Sequence, residues 1–182
     1  MEKSGGILKC FEECNDMMGR VDIPMWEDMP AIDLYMDQAV ELVNKYLNFF
    51  SRFLDEEYEV TRPMINNYVK LKIMPAPEKK KYSRKHLAYI LVICILKQTL
   101  NISAIQKIMP PDMEEEEVHY RYNAFIKNQK KAFNYIKEQI DTIVRPIYDD
   151  ENIAEHSDNL VMQAAASANI LKCVTERVIK KC

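Results

Sequence analysis

Residues 61–100 read TRPMINNYVKLKIMPAPEKKKYSRKHLAYILVICILKQTL, and this stretch decides the fold. Thr61 is placed to cap a helix, and Pro63 falls in its first turn, where the missing N–H costs nothing. Ile65, Tyr68, Val69 and Leu71 are then expected to face inward. In MPAPEKKKYS, residues 74–83, two prolines exclude helix. That segment predicts a short extended loop or two-stranded wing with Lys79, Lys80 and Lys81 at its tip. Ser83 next caps RKHLAYILVICILKQTL, an apolar helix. Asn101 marks its end. Ser103 with Gln106 forms a capping box for SAIQKIM, which Pro110 and Pro111 stop.

Outward from this block the chain is also helical. Ile7, Leu8, Phe11, Cys14 and Met18 predict a helix within the first 20 residues. VDIPMWEDMPAID, residues 21–33, is a connector in which Trp26 and Met29 cap a core. Asp33 is a plausible N-cap for a helix whose buried face runs through Leu34, Ala39, Leu42, Val43, Tyr46, Leu47, Phe50 and Phe53. EEYEV, residues 56–60, breaks it.

Four glutamates, Glu114–Glu117, open a long helix over about residues 112–144, where the helix dipole favours negative charge. Val118, Tyr122, Phe125, Gln129, Ala132, Ile136, Ile140 and Ile143 step by threes and fours, close to a heptad seam with a polar Gln129 in it. Pro146 ends it. A last helix, over about 157–180, carries Leu160, Ala164, Ala168, Leu171, Val174 and Val178. The fold expected is all-α with at most a small two-stranded wing. It divides into an N-terminal helical segment (1–58), a central domain (59–110) and a C-terminal helical arm (111–182).

Charge divides the chain in the same places. Residues 1–59 hold 5 basic and 14 acidic residues, residues 60–109 hold 10 and 1, and residues 110–182 hold 10 and 13. A middle block with Glu78 as its one carboxylate predicts a polyanionic partner. The same block could instead dock an acidic protein surface, and that alternative stays open here.

Several classes are excluded. The 3 glycines, Gly5, Gly6 and Gly19, leave no room for a phosphate loop, a dinucleotide fingerprint or a nucleophile elbow in the body of the chain. The longest apolar run, Leu87–Leu96, is well short of the about 18 residues of a membrane span. MEKSGG leads into no apolar signal region, and 5 cysteines without a CxxC pair read as reduced thiols, so a cytoplasmic location is expected. Cys10 and Cys14 lie one turn apart without the further ligands a metal needs. His86, His119 and His156 have no catalytic partners in sequence, so we expect no enzyme, metal or cofactor.

The block resembles the winged helix-turn-helix domain of the mercury-resistance-regulator (MerR) type. Val60 and Thr61 match its cap, Ile65 and Tyr68 its core and aromatic positions, and Ile73 and Met74 its turn. Lys81, Tyr82 and Ser83 match the end of the wing, Leu87 the following helix, and Ser103–Ile108 the last one. Asn66-Asn67 replaces the family's Arg-Tyr, Lys72 its turn glycine, and Pro63 sits in the recognition helix. The whole chain, with DIPMWEDMPAIDLYMDQ (residues 22–38) in front, is more similar to an uncharacterised bacterial family of domains of unknown function.

The winged-helix resemblance implies duplex DNA as partner, a transcriptional regulator as function and a homodimer as assembly. It implies contacts from Thr61, Arg62, Asn66, Asn67, Lys70, Lys79, Lys80, Lys81, Tyr82 and Arg84. Asparagine reads adenine bidentately, and lysine neutralises phosphate. The seam Val118, Tyr122, Phe125, Gln129, Ala132, Ile136 and Ile140 would join two copies. A third reading is a small-ligand sensor lined by Tyr120, Tyr122, Phe125, Phe133 and Tyr135.

Overall fold

The computed structural model describes residues 2–54, 58–144 and 153–181. The side chains of 1–8, 54–57, 140–158, 160 and 182 lie outside that description. With them go the expectations placed on Ile7, Leu8, Ile140, Ile143, Pro146, His156 and Leu160.

Among the described residues the protein is all-α but for one short antiparallel pair. In chain order the elements are α1 (Glu2–Gly19), a 3-10 turn (Trp26–Asp28), β1 (Leu34–Tyr35), α2 (Met36–Leu54), α3 (Arg62–Lys70), β2 (Lys81–Tyr82), α4 (Arg84–Leu96), α5 (Ile102–Ile108), α6 (Glu115–Val144) and α7 (Ile153–Lys181). They fall into two compact units. One runs from Asp22 to Asn128, with 179–181; the other holds 2–21 and the described part of 129–178.

In the first unit α4 is the centre. Ten consecutive residues, His86–Ile95, are buried, as expected of a helix that shows no polar face. Ala39, Val43 and Leu47 of α2, Ile65 and Tyr68 of α3, Ala104 and Ile105 of α5, and Val118, Tyr122 and Ile126 of α6 complete the core. Each fully buried Leu, Ile or Val contributes about 1.5–3 kcal/mol of transfer free energy. Trp26 and Met29 are buried as the connector predicts.

Side chains fix the junctions. Asn44 of α2 takes the Val60 N–H on Oδ1 at 2.7 Å and donates Nδ2–H to the Val60 carbonyl at 3.0 Å. Ser51 exchanges the same pair of bonds with Tyr58. The turn between α2 and α3 is thus held from α2. On α4, Ser83 and His86 form the capping box: the Ser83 N–H donates to His86 Nδ1 at 3.1 Å.

Two expectations are corrected. Asp33 caps nothing, because β1 intervenes before α2. The helix starts at Met36, with Gln38 Oε1 accepting the Tyr35 N–H at 2.9 Å. Asn101, not Ser103, caps α5, its Oδ1 accepting the Ala104 N–H at 2.9 Å. The asparagine sits one residue before the helix, where a short side chain reaches the third amide. Of the two shapes open for residues 74–83, the loop is the one found: β2 pairs with distant β1 (Leu34 opposite Tyr82, Tyr35 opposite Lys81), and Glu78 and Lys81 form a single bridge.

In the second unit, α1 turns Met18 inward, and Phe11 and Cys14 are half-buried, as are Gln129 and Phe133 of α6. Desolvation and the neighbouring Cys10 raise the Cys14 thiol above its ordinary pKa.

Candidate functional site

α3 turns Ile65 and Tyr68 inward, so its other face is fixed outward. That face carries Arg62, Pro63, Asn66, Asn67 and Lys70 and no acid. The expectation that Leu71 faces inward is corrected, because it is exposed. Thr61 stands at the N-cap with extended backbone (φ −111°, ψ 158°), half-buried and without a capping bond from its hydroxyl. Arg62, at the positive end of the helix dipole, is held by α2: its Nε donates to Asp37 Oδ1 at 2.7 Å.

The end of α3 is built unusually. The Ile73 N–H donates to the Tyr68 carbonyl at 2.9 Å and the Lys72 N–H to the Val69 carbonyl at 3.0 Å. That is a Schellman motif, and its left-handed residue is Lys72, at φ 53°. At the 78–81 turn the Lys81 N–H donates to the Glu78 carbonyl at 2.8 Å. Lys79 and Lys80, the two central residues, have φ 48° and 63°. Two positive φ values in a two-residue turn mark the type I′ class, which favours Asn-Gly.

Among the described residues these three lysines are the only non-glycine residues at positive φ. Each left-handed lysine costs about 1 kcal/mol that glycine would avoid. Lys70, Lys72, Lys79 and Lys80 are exposed, and none has an ion-pair partner among the described residues. Lys72 went unassigned in the sequence reading. Its signal was the glycine that the resemblance places there, which marks a left-handed turn and an outward side chain.

The remaining candidates lie elsewhere. Tyr82 is 3% exposed, edge-on to His86 at 5.6 Å, and has no surface to offer a ligand. Arg84 is half-buried: Nη2 donates to the Met29 carbonyl at 2.8 Å, and the guanidinium lies 5.7 Å from the Trp26 ring centroid. Lys81 is half-buried with its ammonium 5.4 Å from the Tyr35 ring. Tyr82 is thus buried within its own domain, and Lys81 and Arg84 each make part of their contacts there. Burial of an aromatic or arginine inside a basic segment leaves no mark in sequence.

His86 is the one buried polar residue among the described side chains. Nδ1 accepts the Ser83 N–H and hydroxyl, and Nε2–H donates to the Ala76 carbonyl at 3.1 Å, which fixes a neutral ring. Burial pushes its pKa below 6.5, Lys85 adds to that, and the Ala76 bond, Asp33 and Glu78 oppose it. The histidine ties the helix cap to the start of the lysine turn. It lines an open polar cleft of about 330 Å³ with Ser83, Lys85, Glu114 and Glu115.

His119 has a partner the sequence did not reveal: Nε2 lies 2.7 Å from Glu27 Oε1, and the ring stacks on Trp26 at 5.2 Å. Asn123 completes the joint, accepting the Trp26 N–H on Oδ1 at 2.9 Å. Among the described residues no cluster of His, Cys, Asp and Glu could hold a metal ion. No helix among them is long and apolar enough to cross a membrane.

Of the seam, Val118 and Tyr122 belong to the core of their own unit, and the Tyr122 hydroxyl donates to the Pro24 carbonyl at 2.8 Å. Phe125 and Gln129 are half-buried, while Ala132 and Ile136 are exposed. Tyr120 and Tyr135 are exposed too.

Fold and face together define a small helical domain around α4 that presents uncompensated lysines on two constrained turns. Residues 24–125 match the family described as Domain of unknown function (DUF1836), which is more than half of the chain. The protein belongs to that family. No curated protein and no solved structure matches the sequence.

Proposed function

We propose that this protein is a DNA-binding regulator that acts as two copies and approaches duplex DNA with the outward face of α3 and the 78–81 turn. The observation that carries the reading is the set of left-handed lysines. Lys72, Lys79 and Lys80 occupy backbone positions that favour glycine or asparagine, and each adds an exposed positive charge beside α3 or at the turn tip. Strain retained at a surface turn is a mark of function. Asn66 and Asn67 supply donors and acceptors suited to base edges, and Lys70 supplies a further phosphate contact. The order of helix, lysine turn, capped helix and short helix follows the winged-helix resemblance. The reading includes no catalytic step.

The test is fluorescence anisotropy with random duplex DNA. Four lysine–phosphate contacts per copy predict a slope of log affinity against log salt near −3.6, or about a hundredfold loss between roughly 50 and 200 mM salt. Asn66→Ala/Asn67→Ala should keep that slope and lose sequence preference among selected duplexes.

A second reading has one observation in its favour: Asp37 already seats a carboxylate on Arg62. An acidic protein surface could occupy the same face. Absence of DNA binding at low salt would favour that partner.

A further inference from the structure

Two consecutive residues of α5 reach to different partners. Gln106 Nε2 donates to the Lys72 carbonyl at 3.2 Å, at the left-handed turn that ends α3. Lys107 Nζ donates to the Ile179 carbonyl at 2.7 Å, in the last turn of α7. Consecutive Cα atoms stand about 3.8 Å apart, so the end of α5 keeps the α3 turn and residues 179–181 within two side-chain lengths of each other. All of these residues belong to one compact unit.

What gathers there is charge of one sign. Lys72, Lys107, Lys180 and Lys181 are exposed, and none has an ion-pair partner among the described residues. Glu117, on α6 beside the end of α5, is already matched: it lies 2.8 Å from Arg121 Nη2, and Arg121 Nη1 donates to the Ile108 carbonyl at 3.0 Å. The helix dipole favours cations in a last turn, which accounts for Lys180 and Lys181 as parts of α7. It does not account for their being held beside Lys72 by a bond from a further lysine. Like charges brought together repel, and a polyanion relieves that repulsion.

We infer that the end of α5 and residues 179–181 extend the DNA-facing surface beyond α3. Lys180 and Lys181 are two further phosphate contacts, and Lys107 is the positioning residue that sets them there. The inference rests on the DNA-binding reading above and names a part of the surface outside α3 and the 78–81 turn. Lysine suits this role, because a point charge on a flexible stem reaches a phosphate without reading a base. These contacts therefore add affinity and no sequence preference.

The test is anisotropy of the full chain with random duplex DNA at several salt concentrations. Two added contacts take the expected wild-type slope from about −3.6 to about −5.4, and Lys180→Ala/Lys181→Ala should be shallower than wild type by about 1.8. Lys180→Arg/Lys181→Arg should keep the wild-type slope, because charge is what the contact uses. Lys107→Met should also be shallower than wild type, yet add nothing in the Lys180→Ala/Lys181→Ala background, since it acts through those two residues. An additive effect would overturn its positioning role. If Lys180 and Lys181 serve the helix dipole alone, their removal lowers the melting temperature and leaves the slope unchanged, which overturns the inference. Lys79→Ala/Lys80→Ala, run beside these variants, separates two failures. A slope reduced by that variant and not by Lys180→Ala/Lys181→Ala overturns the α7 contacts alone. A wild type without salt-dependent binding overturns the DNA-binding reading, and this inference with it.

Discussion

Arg62 Nε donates to Asp37 Oδ1 across 2.7 Å, and the bond ties the first turn of α3 to the first turn of α2. Both side chains are nearly two-thirds exposed, so the pair contributes little to stability, within about 0–1 kcal/mol. Its larger effect is on the surface charge: it withdraws one guanidinium from the basic face. Asp37→Asn should leave the melting temperature within a few degrees of wild type. It should also strengthen DNA binding several-fold at low salt, with a slope steeper by about 0.9. Titration of anisotropy against salt checks both.

The α2–α3 junction depends on Asn44. Asn44→Ala leaves the amide and carbonyl of buried Val60 without partners, at a cost of about 1–3 kcal/mol. Asn48→Ala, on the exposed side of the same helix, should stay within about 0.5 kcal/mol. Urea unfolding of the two variants gives the contrast directly.

His86 predicts a pH dependence with a definite sign. Its folded pKa lies below 6.5, so between that value and 6.5 the unfolded chain binds a proton that the folded chain refuses. Stability is therefore complete above about 6.5 and falls as the pH drops through that region. His86→Gln keeps an acceptor for the Ser83 N–H and should flatten this component in melting curves taken between pH 7.5 and about 5. Glu27 acts in a separate window. Its carboxyl is held below 4.5 by its own backbone N–H and by His119, so its contribution is lost only in stronger acid.

The sequence made the core legible wherever one segment carried the whole signal. The unbroken apolar run of α4 announces a helix, and Ser83 announces its start. Relationships between segments were not legible. β1 and β2 are two residues each, too short to alternate, and their pairing joins chain positions nearly fifty apart. Heptad spacing on α6 revealed an apolar stripe, but not that Val118 and Tyr122 are covered by their own unit. Within the basic block, composition could not separate Tyr82 and Arg84, which pack, from Lys79 and Lys80, which do not. Burial made that separation, and backbone conformation brought in Lys72.

Lys72→Gly follows from the Schellman motif. The substitution relieves a left-handed lysine and should stabilise the protein by up to about 1 kcal/mol, while removing one of the proposed phosphate contacts. Thermal melts paired with salt titrations should therefore move in opposite directions.

The most direct test of the central claim is the double variant Lys79→Asn/Lys80→Gly, compared with wild type for melting temperature and for DNA binding at several salt concentrations. Asn-Gly is the preferred pair for the 78–81 turn, so the variant should be more stable, by about 1 kcal/mol. It should bind duplex DNA more weakly at low salt, with a slope shallower by about 1.8. A variant that is stabilised yet binds DNA as wild type does, or a wild type with no salt-dependent binding, would contradict the assignment of this turn to the phosphate backbone.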